Sequence, residues 1–356
     1  MSIYTNWDPL ETVIVGNCHT SVSEKLIKDP RTRMLLEKIL TETKEDLDSL
    51  AALLEKLGAE VLRPTPLDYS ENIPFPNFDV LHATNPIVPR DQYFAYGDTI
   101  YQTYTSMPDR YLDSLQYYDI FKLLFDRGYN WISQPPPVLE NITVDKKWYV
   151  QGQDIYHRMH KNKVLWHTAT MFKCGEDIIT NTKGPGNTNG LEWMQRNLSA
   201  NIISNVGACA DNWGHIDHGF YMPNDDTVIC MDQKWIPESL TNKQIIDLKG
   251  HFTPFDYQTY LKKTSHYSNH VSKQWLEDWL EEWMGYTQKT AFEGNVLVVD
   301  PFNIIFAIEQ PGVFELLAKH GINCHVLPIR HGMFWEAGIH CLTLDVSRRG
   351  NKRKII

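Results

Sequence analysis

The sequence predicts an α/β fold assembled from repeated units of hairpin, helix and strand. Three observations carry this prediction. A helix–glycine–strand–proline phrase recurs along the chain, and a hairpin phrase with a polar tip recurs between its copies. No linker or low-complexity stretch separates them. The 356 residues are therefore expected to form one domain, 1–356, with its units arranged radially or as a stack.

The first helix phrase is Leu53-Leu-Glu-Lys-Leu-Gly58-Ala-Glu-Val-Leu-Arg-Pro64. Leu47, Leu50, Ala51 and Leu54 recur at helical spacing and predict the buried face. Gly58 then caps the helix in a left-handed conformation, and Pro64 ends the short strand that follows. The first hairpin is Phe94-Ala-Tyr-Gly97-Asp-Thr-Ile-Tyr101, with a Gly-Asp tip between β-rich flanks. The helix phrase returns at Leu123-Leu-Phe-Asp-Arg-Gly128, with Pro135 behind its strand. Phe172-Lys-Cys-Gly175-Glu-Asp177-Ile-Ile179 is the second hairpin, followed by a looser helix–strand copy from Leu191 to Ile203. The third hairpin turns at Asn224, and a further one at Asp300-Pro301 precedes the helix phrase Leu316-Leu-Ala-Lys-His-Gly321. Last comes Glu336-Ala-Gly-Ile-His-Cys341-Leu-Thr-Leu-Asp345, a cysteine between a small-residue turn and an alternating apolar run.

Composition excludes several classes. With 34 Lys and Arg against 44 Asp and Glu, the net charge of -10 argues against a nucleic-acid or anionic-membrane partner. No apolar run reaches transmembrane length and no leader-like segment opens the sequence, so a cytoplasmic protein is expected. The six cysteines (Cys18, Cys174, Cys209, Cys230, Cys324 and Cys341) are scattered without a CxxC pair. This fits free thiols in a reducing compartment better than a disulfide framework or a zinc ribbon.

Overlaying the repeats exposes candidate chemistry. Asp91 lies three residues before Phe94, and Asp217 three before Phe220, so two carboxylates occupy equivalent points of two units. Ala169 fills the same place in another copy, so the motif does not require a carboxylate there. A lone aspartate at a strand entrance is an ordinary capping residue. A matched pair suits a planar guanidinium with several fixed donors. His215 stands two residues before Asp217, and on a strand that spacing puts both on one face. Histidine is the usual acid/base near neutral pH. Asp177, at a hairpin tip, is a candidate to orient or share a proton with it. The His-x-Asp-His order also raises a metal site, but no other strong ligand cluster follows, and the expected metal count is none.

These segments, in this order, resemble the amidinotransferases over most of the chain. The resemblance rests on Asn6-Trp-Asp-Pro-Leu-Glu-Thr-Val-Ile-Val-Gly16 and on Pro89-Arg90-Asp91 with the Gly97 hairpin. It continues through Gly175-Glu-Asp177-Ile with Thr188-Asn-Gly-Leu-Glu-Trp-Met, then His215-Ile-Asp217, and His340-Cys341-Leu-Thr343-Leu-Asp345-Val-Ser-Arg-Arg-Gly350. It implies the pentein fold, an α/β propeller of five ββαβ-like units about a pseudo-fivefold axis. It also implies Cys341 as nucleophile and His215 as proton carrier. Asp91 and Asp217 would clamp the donor guanidinium, with Arg90 and Asn212 also on the substrate side. L-arginine would donate its amidino group through an amidino-cysteine, ornithine would leave, and an acceptor amine would take the group, with no cofactor. Relatives suggest a homodimer.

The chain also departs from that pattern. The family's histidine-orienting aspartate falls on His167, inside the carboxylate-free run His167-Thr-Ala-Thr-Met171, which leaves Asp177 as the nearest acidic substitute. The glycine-rich loop before the nucleophile becomes Met333-Phe-Trp-Glu336-Ala-Gly338, where Glu336 is a candidate for a cationic acceptor's second charge. The rival readings are an arginine deiminase that gives the same intermediate to water, a metal-dependent hydrolase, and a non-catalytic guanidino-binding protein.

Overall fold

The recurring phrases fold as five three-stranded sheets. The computed structural model describes residues 2–25, 27–67, 73–74, 79–80, 85–104, 110–138, 162–182, 188–205, 215–252, 294–332, 334–335 and 337–356. In chain order these hold β1 (Leu10–Val15), α1 (Pro30–Lys56), β2 (Glu60–Leu62), and a short pair, β3 (Ile73–Pro74) and β4 (Asp79–Val80). There follow β5 (Tyr93–Tyr96), β6 (Thr99–Gln102), α2 (Asp113–Gln116), α3 (Tyr118–Asp126) and β7 (Asn130–Ser133). Next are β8 (Met171–Cys174), β9 (Asp177–Asn181), α4 (Thr188–Asn197) and β10 (Asn201–Asn205). The chain continues through β11 (Phe220–Asn224), β12 (Thr227–Cys230) and β13 (Gln244–Asp247). It ends with β14 (Leu297–Asp300), β15 (Asn303–Phe306), α5 (Pro311–Ala318), β16 (Asn323–Val326) and β17 (Thr343–Arg348).

Every three-stranded sheet has the same pattern. Two strands pair antiparallel and the third runs parallel to the second, as in β5–β6–β7, β8–β9–β10, β11–β12–β13 and β14–β15–β16. A parallel third strand needs a crossover, and a helix supplies it in the units that contain α3, α4 and α5. Between β12 and β13 two 3-10 turns, Gln233–Trp235 and Glu238–Leu240, do the same work. The remaining sheet joins the two ends of the chain: β17 pairs antiparallel with β1, and β2 runs parallel to β1 after α1.

Local physics explains the helix phrases. Asp29 caps α1 by accepting from the Thr32 N–H at 2.7 Å, and Pro30 fills the first turn, where no N–H is needed. Leu47, Leu50 and Leu54 are fully buried on one face, each contributing about 2 kcal/mol. Gly58, Gly128 and Gly321 end their helices at φ of 95°, 96° and 75°, a region closed to most side chains.

The core is shared between neighbouring units rather than held inside each. One cluster joins β1, β5 and β17, a second joins the β5 and β8 units, and a third runs from β8 through the β11 unit to β14. A fourth joins the β14 unit to β1, α1 and the segment before β17. Each unit thus packs on the next and the last on the first, as five repeats around an axis require. Among the described residues no helix is long and apolar enough to cross a membrane.

Candidate active site

The site is made by the short segments that enter the first strand of each unit. Asp91 stands two residues before β5, Asn295 two before β14 and Cys341 two before β17. His167 stands four before β8, and His215 and Asp217 five and three before β11. Three of these entrances are 3-10 turns: Pro89–Asp91, Thr168–Thr170 and Ile216–His218. The first packs against the second and the second against the third. His215 caps its turn rather than lying on a strand, so strand alternation is not what brings it to Asp217. The tight turn does so, with His215 at its cap and Asp217 inside the same 3-10 turn.

Cys341, His215, Asp217 and His218 have ligand-type atoms all within 4.8 Å of one another, as do Asp91, His167 and His215. His215 belongs to both groups and links them. All six side chains are buried. The ring of His167 stacks on that of His215 with centroids 4.8 Å apart, and His167 Nε2 lies 3.7 Å from Asp91 Oδ1. Three imidazoles, two carboxylates and one thiol therefore share a single buried space.

Asp217 is held by its Oδ2 atom, which accepts from His340 Nδ1 at 2.5 Å and from Asn295 Nδ2 at 3.0 Å. His340 is the neutral Nδ1–H tautomer. Asn6 Oδ1 accepts the Lys173 N–H, which turns Asn6 Nδ2 toward His340 Nε2 and makes that nitrogen the acceptor. Burial and the Arg90 charge push the His340 imidazole down to about 4, against the pull of Asp217. For Asp217, burial favours the neutral acid, but the His340 hydrogen bond and the surrounding imidazoles hold it well below the usual carboxylate range. Asp91 is also lowered against the cost of burial, by His167, Arg110 and His215.

Each aspartate keeps one oxygen in reserve. Arg110 binds Asp91 Oδ2, and Arg110 also engages Asp113 Oδ2 at 2.9 Å and the Val88 carbonyl at 2.8 Å. Asp91 Oδ1 and Asp217 Oδ1 are buried and accept no hydrogen bond among the described residues. An unpaired buried carboxylate oxygen is costly, so the pair has a strong appetite for donors.

Cys341 Sγ accepts from Asn295 Nδ2 at 3.0 Å and its S–H points toward Asp217 Oδ2 at 3.8 Å. Burial, Asp217 and Asp91 raise the thiol well above its ordinary value of 9.0. The segment before Cys341 is tied to α1: Trp335 Nε1 donates to Thr43 Oγ1 at 2.7 Å, and Arg330 to Asp46 Oδ1 at 2.8 Å.

The structure gathers five of the residues expected from sequence, Cys341, His215, Asp217, Asp91 and His167, and leaves two outside. Asp177 lies at the far end of β8 from His167, where its Oδ1 accepts from Asn201 Nδ2 at 3.1 Å; it is a hairpin-tip residue, remote from His215. Arg90 is engaged within the protein. Its guanidinium is spent on Asp345 Oδ1 at 2.5 Å and on the His340 carbonyl at 2.8 Å, which braces the backbone beside Cys341. Asn212 and Glu336 lie outside the described residues. Asn295, His340 and Arg110 lay outside the expected site, and His218 entered only through the His-x-Asp-His metal reading. The available signal for Asn295 was its place two residues ahead of a repeated hairpin, the place Asp91 and Cys341 hold in their own units.

No protein-family model matches the chain. It is nevertheless related along nearly its whole length to amidinotransferases. It is 27% identical to inosamine-phosphate amidinotransferase 1 of Streptomyces griseus, over 98% of this chain and 97% of that one. Against mitochondrial glycine amidinotransferase of Gallus gallus it is 23% identical, over 98% of this chain and 82% of that one. The solved structure of the Streptomyces griseus enzyme superposes with a TM-score of 0.73 at 25% identity, covering 99% and 98% of the two chains. That of an amidinotransferase from Microseira wollei in the saxitoxin biosynthetic pathway also gives 0.73, at 22% identity, covering 100% and 99%. The pentein-type expectation for the fold therefore holds.

Proposed function

We propose that this divergent relative of the amidinotransferases moves the amidino group of L-arginine to an acceptor amine, glycine or another primary amine, through an amidino-cysteine at Cys341. The observation that carries the reading is the pair of buried, unsatisfied oxygens, Asp91 Oδ1 and Asp217 Oδ1, in one cluster with a thiol and an imidazole. A guanidinium offers the donors that both oxygens lack, and its carbon is electrophilic while it stays planar and charged.

The steps follow from charge. Without a cationic ligand, burial and the two carboxylates keep Cys341 protonated. A bound guanidinium neutralises them, so the thiolate becomes accessible when its target is in place. Cys341 passes its proton to His215, sulfur bonds to the guanidinium carbon, the C–N bond to the ornithine nitrogen breaks, and His215 gives that same proton to the departing nitrogen. His215 then takes a proton from the acceptor amine, which attacks the amidino carbon and expels the thiolate. The step needs no metal or organic cofactor. On this reading the protein is a cytoplasmic homodimer, which sizing in solution and fractionation check.

The experiment is mass spectrometry after mixing with L-arginine and a panel of amines. Support is an added amidino group on Cys341, free ornithine and an amidinated amine. Citrulline in place of ornithine would make the chain a deiminase. The four ligand-type atoms of His215, Asp217, His218 and Cys341 also favour a second reading, a metal-dependent hydrolase. Chelator-sensitive turnover with no Cys341 adduct would select it.

A further inference from the structure

We propose that Asn295 is the positioning residue of Cys341, one amide that holds the backbone, the sulfur and the neighbouring carboxylate at fixed separations. The inference rests on Cys341 as the nucleophile and adds the group that governs its ionisation.

Three contacts define the role. Asn295 Oδ1 accepts the Cys341 N–H at 3.0 Å. Asn295 Nδ2 donates to Cys341 Sγ at 3.0 Å and to Asp217 Oδ2 at 3.0 Å. Because the oxygen must face the N–H, the amide cannot be reversed, and its NH2 group faces the sulfur and the carboxylate. Both amide hydrogens are thereby used, one on each of the two atoms whose mutual repulsion opposes thiolate formation. The residue is fully buried, so water does not share these contacts.

The surroundings are shaped for it. Asn295 precedes β14 by the same two residues that separate Cys341 from β17, so equivalent entrances of neighbouring units meet face to face. The Asn295 carbonyl accepts the His340 N–H at 3.4 Å, which aligns the two entrances. Gly338 completes the fit. A Cβ there would stand 2.6 Å from Asn295 Cβ and 2.8 Å from Asn295 Oδ1, closer than real side chains approach.

Chemistry assigns the consequence. When Cys341 loses its proton, the S–H contact to Asp217 becomes a repulsion between two anions, while the Nδ2–H contact to sulfur becomes charge-assisted and stronger. Among the described residues Asn295 is the hydrogen-bond donor to that sulfur. It holds the thiolate next to a carboxylate without letting the two collapse together or drift apart.

The test reads the thiol itself. Asn295→Ala should slow iodoacetamide alkylation of Cys341 about tenfold at a fixed pH and move its pH profile upward by about one unit. Cys18, Cys174, Cys230 and Cys324, followed by peptide mass spectrometry in the same samples, should keep their rates. An unchanged Cys341 profile, or an equal shift of all five thiols, would overturn the assignment. Should the variant fold poorly, the wild-type protein suffices. The side-chain amide resonances of Asn295, under selective nitrogen-15 labelling, should move with the Cys341 titration and be altered by Cys341→Ser; resonances indifferent to both would refute it. Neither measurement uses arginine or an acceptor, so a chain that transfers no amidino group can still pass or fail.

Discussion

His167 lies face to face with His215, ring centroids 4.8 Å apart and planes 29° from parallel. The resemblance to the amidinotransferases implies a carboxylate at this position. Stacked imidazoles repel when both are charged, and Asp91 Oδ1, 3.7 Å from His167 Nε2, is a counter-charge beside the pair.

His167→Asp should therefore speed ornithine release at a fixed neutral pH by about tenfold, because a carboxylate stabilises a charged neighbouring imidazole that a second imidazole repels. His167→Gln should not. An equal change in both variants would show that the effect comes from loss of stacking rather than from charge.

The thiol gives a second, counterintuitive expectation. Burial, Asp217 and Asp91 all raise Cys341 well above 9.0, so its alkylation should keep rising with pH past that point without a plateau. Removing one negative charge in Asp217→Asn should speed alkylation near neutral pH by roughly tenfold. The same change should cut amidino transfer by roughly a hundredfold or more through loss of the donor clamp. Alkylation that slows in this variant would mean that Asp217 does not oppose the thiolate.

Arg110 bridges two buried carboxylates, Asp91 and Asp113. Arg110→Met should destabilise the fold by about 3 kcal/mol, because both carboxylates lose their counter-charge. Thermal or denaturant melting measures it, and a loss below about 1 kcal/mol would show that the bridge is idle.

Lys173 is fully buried beside Asp345, which Arg90 and Arg348 already serve. Burial, with the two arginines, pushes the Lys173 ammonium from 10.5 down to about 8. The folded chain thus binds this proton more weakly than the unfolded chain. A penalty of about 3 kcal/mol is present below pH 8 and is relieved as pH rises from there toward 10.5. Lys173→Met should be no less stable at neutral pH and should lose this gain on the alkaline side. Denaturant melts across that range decide it; a variant that is weaker at neutral pH and keeps the alkaline gain contradicts the assignment.

The sequence was legible where chemistry is local. The buried face of α1, the glycine caps at Gly58, Gly128 and Gly321, and the hairpin turns follow from short-range sterics and periodicity, and each phrase that repeats marks a unit. The pairing of Asp91 with Asp217, and their meeting with His215 and Cys341, was legible because repeats around an axis bring equal positions together. Asp177 misled because it is the nearest acid along the chain to the carboxylate-free run at His167 but sits at the opposite end of a strand. Arg90 misled because a guanidinium next to a site residue has the same letters whether it meets a substrate or a buried Asp345.

By itself, then, the sequence determined the repeated unit, the fold class and most of the side chains that meet in the cluster, since these depend on residue type and on spacing along the chain. Tertiary structure alone decided which oxygens remain unsatisfied, which tautomer His340 adopts and which amide holds the sulfur. Those outcomes hang on contacts between residues far apart in sequence, Asn6 with His340 and Asp217 with Asn295, and on the pairing of β1 with β17. A hydrogen bond depends on distances of a few tenths of an ångström, and only the packing of all five units sets them.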